Sequence, residues 1–197
     1  FKKLHFKEGT IESATLPAID MLIALHACDT ATDEAIYKGI HANATVIICA
    51  PCCHKQIRKQ MNPDNALQSI TQHGILLERQ AEMVTDTIRA LILEAFGYKT
   101  KVFDFIATEH TQKNVLIVGT KRVNEKNEKE KKLEKVKALK GMFNIKQHYL
   151  EKLMSIWKKA CKILKILQAL KISLRLNANI LSININDLFN IEFLKFL

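Results

Sequence analysis

Two stretches decide the fold: Asp20-Met-Leu-Ile-Ala-Leu-His-Ala-Cys-Asp-Thr-Ala-Thr-Asp33 and Ala44-Thr-Val-Ile-Ile-Cys-Ala-Pro-Cys-Cys-His54. Each is a short apolar run that stops abruptly in small, polar and sulfur-bearing residues. A buried parallel strand has this form when it delivers functional groups to the carboxyl edge of an open α/β sheet, where such sheets bind ligands. The span from Thr32 to Ile40 reads as the crossover helix, so the two strand ends form one crevice wall.

Working outward, Leu4 to Phe6 reads as a short strand entering the turn Glu8-Gly9-Thr10. The second strand is Met21 to Leu25, and the polar cluster Asp29 to Thr32 suits a helix N-cap. Gly39 suits the end of that helix. The third strand is Thr45 to Cys49, rich in β-branched residues and broken by Pro51. Helical spacing returns over Lys55 to Gln60, Ala66 to His73 and Ala81 to Phe96, where Met83, Ile88, Leu91, Ile92 and Ala95 share a face and Gly97 ends the run. Strands follow at Lys101 to Ala107 and Val115 to Gly119. The connection between them is too short for a parallel crossover, which predicts an antiparallel hairpin.

The chain has 197 residues and a formal charge of +10. Up to Arg122 there are 14 Lys+Arg against 13 Asp+Glu, and from Val123 onward 16 against 7, so the basicity belongs to the C-terminal part. Such a basic segment either holds RNA or an acidic surface or forms a solvated helical face. No apolar run approaches the roughly 18 to 20 residues of a membrane span, and no signal peptide opens the chain. Lacking an initiator Met, it reads as a fragment or a processed product. Five cysteines, three of them between Cys49 and Cys53, do not suggest a disulfide framework. Reduced thiols and a cytoplasmic location are the expectation.

The segments His5-Phe-Lys-Glu-Gly-Thr-Ile11, Leu25-His-Ala-Cys-Asp-Thr-Ala-Thr-Asp33 and Ala50-Pro-Cys-Cys-His54 resemble a family of class I S-adenosylmethionine-dependent methyltransferase domains marked by HAC and PCCH motifs. Gly74-Ile-Leu-Leu-Glu-Arg-Gln80, Thr108-Glu-His-Thr-Gln-Lys-Asn114 and Leu139-Lys-Gly-Met-Phe-Asn-Ile145 extend the resemblance, which runs to about Leu153. It implies a partial Rossmann-like α/β fold holding strands 3 to 7 of seven, in the order 3-2-1-4-5-7-6, with the last two strands an antiparallel hairpin and a helical C-terminal extension. It also implies S-adenosylmethionine as the small-molecule methyl donor. Glu8, Gly9, Thr10, Ile11, Leu25, His26 and Ala27 would border the cofactor. Cys28, Pro51, Cys52, Cys53, His54, His110 and Asn114 would face the acceptor, for which RNA is the expected class. The chain departs from the family in lacking the first strand with its Gly-rich loop; no G-x-G turn precedes the motifs. That reads as an N-terminally truncated domain, weak or inactive by itself, with a non-catalytic RNA- or protein-binding remnant as the alternative.

Methyl transfer from a sulfonium is an in-line displacement, in which protein groups align the acceptor and remove its proton. His26 suits such a base, and Asp29 an orienting or acceptor-contacting role; the alternative for His26 is to shape the pocket through a hydrogen bond. His26, Cys28, Cys52, Cys53 and His54 are zinc-ligand types, but the spacing is no recognised knuckle and adjacent cysteines tend to point apart, so no metal site is assigned. Three regions are expected: residues 1–122 as the C-terminal part of the methyltransferase domain, 123–155 as its charged helical extension, and 156–197 as an atypical basic and apolar tail. That tail has either the composition of out-of-frame AT-rich translation or the form of a membrane-surface helix from Ile156 to Leu176.

Overall fold

A computed structural model describes residues 5–105, 114–122 and 129–155, all within a compact unit bounded by Phe1 and Ser155. The elements in chain order are β1 (Met21–Leu25), α1 (Thr30–His41), β2 (Val46–Ala50), α2 (Lys55–Arg58), α3 (Gln68–Thr71), α4 (Gly74–Ala95), β3 (Tyr98–Asp104), β4 (Val115–Lys121) and α5 (Lys129–Met142). The four strands form one sheet in the order β1-β2-β4-β3. β1 and β2 are parallel, with Met21 opposite Val46 and Leu25 opposite Ala50. β4 runs antiparallel to both β2 and β3. This mixed, partly parallel α/β sheet fits a partial Rossmann-like fold, and the hairpin expected from the short connection is present.

The side-chain alternation of the strands explains the layers. Leu22, Ile47 and Gly119 lie on one face. A Cβ on Gly39 of α1 would come within 2.8 Å of Ile47, and one on Gly119 would touch Leu93 of α4 at 3.4 Å, so both helices pack on that face. Ile36, Ile47, Ile88, Leu93 and Ile117 are fully or almost fully buried there. The opposite face carries Met21, Ile23 and Leu25, which are 51%, 56% and 60% exposed. Buried on one face only, β1 therefore differs from the doubly covered strand its apolar run suggested.

Several boundaries also differ. His5 and Phe6 form no strand, and Phe6 is largely exposed; none of the four strands among the described residues pairs with this segment, so no ladder satisfies its backbone. Gly39 lies inside α1, where its missing side chain admits Ile47, and the helix stops at Ala42 followed by left-handed Asn43. Gly97, at φ 89°, does end α4. α4 starts seven residues earlier than its spacing predicted. The charged helix α5 begins at Lys129 and is tied down: Val136 is buried, Lys132 Nζ reaches Glu94 Oε2 at 2.5 Å, and Lys129 sits 3.9 Å over the Phe96 ring. No helix among the described residues is long and apolar enough to cross a membrane.

Candidate functional site at the carboxyl edge of the sheet

β1 and β2 end side by side, and the loops they release diverge in character. After β1, His26 has φ 56° and Asp29 φ 52°. Left-handed backbone is costly for a side chain with a Cβ, and two such residues three apart mark a segment that its surroundings force into shape. His26 is exposed, and Ala27 is buried with its carbonyl accepting a short hydrogen bond from Thr32 Oγ1. The Asp29 carbonyl accepts from Arg89 Nη2 at 2.7 Å, and its carboxylate Oδ1 accepts from the Gln56 backbone N–H at 3.0 Å. Asp29 thus joins the start of α1 to the start of α2 across the crevice.

Beneath the loops lies a buried charge network. Arg89, wholly buried on α4, donates Nε to Asp33 Oδ1 at 2.7 Å and Nη1 to Asp86 Oδ1 at 3.0 Å. His54, also buried, donates Nε2 to the same Asp86 oxygen at 3.2 Å. One guanidinium therefore serves two carboxylates. Burial pushes Asp33 up to about 6, against the pull of Arg89. Burial by itself pulls the Arg89 pKa down, but the two carboxylates outweigh it and raise the pKa above the usual value. His148 lies buried nearby; desolvation, followed by the charges of Arg89, Lys140 and His54, holds its imidazole well below the ordinary range and so neutral. Its Nδ1 accepts from the Leu150 backbone N–H at 3.2 Å. The segment carrying it is fixed to α2 by Gln147, whose carbonyl accepts from Gln56 and Gln60 at 2.8 and 2.9 Å.

The sulfur groups collect above this network. Cys28 Sγ lies 3.1 Å from Cys52 Sγ, and Cys52 Sγ 3.8 Å from Cys53 Sγ. All three sulfurs fall within 4.8 Å of one another. Hydrogen bonds from Cys52 and Cys53 lower the Cys28 thiol's pKa, whereas burial, followed by the bonds to Cys28 and Cys53, pushes Cys52 up to about 12. Cys49 is separate, pushed up to about 12 by its burial in β2.

The remaining sequence-expected residues are distributed as follows. Glu8, Gly9 and Thr10 are exposed and Ile11 half-buried. They form a turn in which Thr10 Oγ1 bonds Ser13 at 2.9 Å, while Lys38 Nζ of α1 donates to the carbonyls of Glu12 and Ala14 at 2.7 and 2.5 Å. Leu25 is exposed and Pro51 buried. Asn114 is buried, its carbonyl accepting from the Phe105 N–H at 3.1 Å; His110 lies outside the described residues. His54 faces inward to Asp86 rather than the crevice surface. Sequence reading missed Arg89, Asp86, Asp33 and His148. An apolar groove of about 580 Å³ lies between α4 and the β3–β4 hairpin, lined by residues such as Met83, Leu91, Val102 and Val115, and it holds none of the expected site residues.

A family model described as a methyltransferase domain matches residues 1–60. No curated protein and no solved structure matches the chain. The match covers β1, α1, β2 and both carboxyl-edge loops, and it supports a methyltransferase domain.

Proposed function

We propose that the chain carries the carboxyl-edge portion of a class I S-adenosylmethionine-dependent methyl-transfer site. The observation that carries this reading is the pair of left-handed, non-glycine residues, His26 and Asp29, at the end of β1 inside the segment matched by a methyltransferase-domain model. Strained backbone of this kind concentrates where a fold holds reacting groups in place. The donor residues fit the cofactor in part. Exposed Leu25 and His26 and the Thr10–Ser13 turn offer apolar, imidazole and hydroxyl surface, while no Gly-x-Gly turn occurs in these 197 residues to cradle the rest of it.

When bound, S-adenosylmethionine supplies an electrophilic methyl group. The chain's own residues then have distinct tasks. Glu8, Gly9, Thr10 and Ile11, with Leu25 and Ala27, border the donor. His26 holds or removes the acceptor proton, since its exposed imidazole offers a ring nitrogen that can accept one. Asp29, with one carboxylate oxygen engaged by Gln56, orients the acceptor through the other. Pro51, Cys28, Cys52, Cys53 and Asn114 line the acceptor side, and His110, outside the described residues, is a further acceptor-side candidate. His54 serves this arrangement indirectly, by fixing the β2 loop to Asp86. RNA is the acceptor class we favour, since the excess of cations after Val123 would hold a polyanion. A reducing, cytoplasmic setting suits the thiols clustered at the site.

The test is a calorimetric titration of S-adenosylmethionine into the 197-residue chain and into a longer form that adds an upstream strand and Gly-rich loop. Binding that is weak in the first and tightens at least tenfold in the second supports the reading. Absence of binding in both overturns it. Retention of RNA without donor binding, abolished by Lys-to-Glu changes in α5, would instead establish the non-catalytic binding remnant.

A further inference from the structure

From the convergence of sulfur atoms on two pinned loops, we infer that Cys28, Cys52 and Cys53 form a three-thiolate site for a thiophilic divalent cation, of which zinc is the commonest. The geometry is specific. Thiolates around zinc at bonds of about 2.3 Å in a tetrahedron stand about 3.8 Å apart. Cys52 and Cys53 already stand 3.8 Å apart, and Cys28 and Cys52, at 3.1 Å, need to open by only a fraction of an ångström. All three sulfurs lie within 4.8 Å of one another.

The loops that present these thiols are held from below, which is what a binding constellation requires of its supports. Cys28 lies between Ala27, whose carbonyl is bonded by Thr32, and Asp29, whose carbonyl is bonded by Arg89. Cys52 and Cys53 lie between Pro51 and His54, both buried, with His54 tied to Asp86. Neighbouring cysteines usually diverge, but this loop turns both sulfurs toward Cys28. Binding replaces three S–H bonds by three metal–sulfur bonds and releases three protons to solvent, leaving a site of net charge −1. Cys28 is exposed, so the fourth coordination position opens to solvent, the arrangement of a site that keeps a place for water or a ligand. The cation would cross-link the β1 and β2 loops and stand beside the proposed acceptor side; the inference itself needs no methyl donor.

The experiment uses the full chain purified under reducing conditions. Elemental analysis should return one zinc per chain, and Co²⁺ substitution should give sulfur-to-cobalt charge-transfer absorption with the intensity of three thiolates. C28S, C52S and C53S should each weaken Co²⁺ binding by more than about 100-fold, the upper end of the loss caused by removing an outer partner of a metal ligand. C161S should leave it unchanged. Circular dichroism identifies any variant that fails to fold, and the zinc content of the unaltered chain does not depend on the variants. Full titration of free thiols with neither zinc nor cobalt absorption overturns the proposal. A Cys28–Cys52 disulfide in air-exposed protein, with no metal taken up after reduction, also overturns it and assigns the pair to redox chemistry. Cobalt absorption that survives C28S would overturn it as well.

Discussion

The loop leaving β1 and the loop leaving β2 start from paired residues, Leu25 and Ala50, and then behave oppositely. The first turns outward: His26 and Cys28 are exposed, and two of its residues hold left-handed backbone. The second turns inward: Pro51 and His54 are buried, and His54 joins the charge network of Arg89. The contrast teaches a division of labour. Strain in the exposed loop is tolerable because the buried network holds its Asp29 carbonyl from beneath, so the proposed chemistry would sit on one loop while its support comes from under the other.

The most severe way to break this contrast is to remove the shared support. Arg89→Met strands Asp33 and Asp86 without their cation, and loss of one partner of a buried ion pair costs about 3–5 kcal/mol. Urea unfolding should show that loss. Because the Asp29 carbonyl also loses its donor, faster hydrogen exchange at the Asp29–Thr32 amides should accompany it; an effect confined to global stability would separate network from loop.

A smaller effect sharpens the comparison through pH. Asp33 is raised to about 6 from its ordinary value of 3.8, so its contribution to stability is fully present below 3.8 and is lost as pH rises through about 6. His148 is shifted downward, so its contribution is lost as pH falls below its ordinary value. The two oppose each other on acidification. Asp33→Asn removes the favourable proton uptake, and its melting temperature should fall more steeply than wild type between pH 6.5 and 4, by a difference on the order of 2 kcal/mol at the acid end. Parallel curves would show that burial does not raise Asp33.

The smallest stability effect belongs to the exposed loop. His26→Gly relieves a left-handed residue at the cost of a more flexible unfolded chain, and the two terms offset to within about 1 kcal/mol. Donor-dependent methyl transfer by the upstream-extended form should nevertheless fall by about 100-fold, within the usual range for losing a general base. Unchanged turnover with unchanged stability would remove His26 from the chemistry.

Much of the frame was legible in the sequence, because periodicity and punctuation are local. β1 and β2 were visible as apolar runs ending in polar clusters, the hairpin through its short connection, and α4 through its apolar face. The support network was not. Arg89 sits in an amphipathic helix, where an arginine normally reads as solvated, and its partners Asp33 and Asp29 lie 56 and 60 residues away. His148 gave no signal either, since its burial depends on Gln147 docking against α2. The thiols were seen as candidates, but the turn that brings Cys52 and Cys53 together toward Cys28 is a property of the folded loop. Gly39 was misread for a similar reason: its role depends on Ile47 of the neighbouring strand.

That glycine has a consequence for how the molecule tolerates change. A side chain at position 39 would collide with Ile47 side-chain atoms 2.8 and 2.9 Å away, so that either Ile47 repacks or α1 shifts. Asp33 rides on the same helix six residues earlier, and through it Arg89 and the Asp29 carbonyl. A residue with no chemistry of its own thus lets the helix that carries Asp33 approach β2 closely. Genetic variation at position 39 should mimic damage to the site while leaving every crevice-lining residue intact.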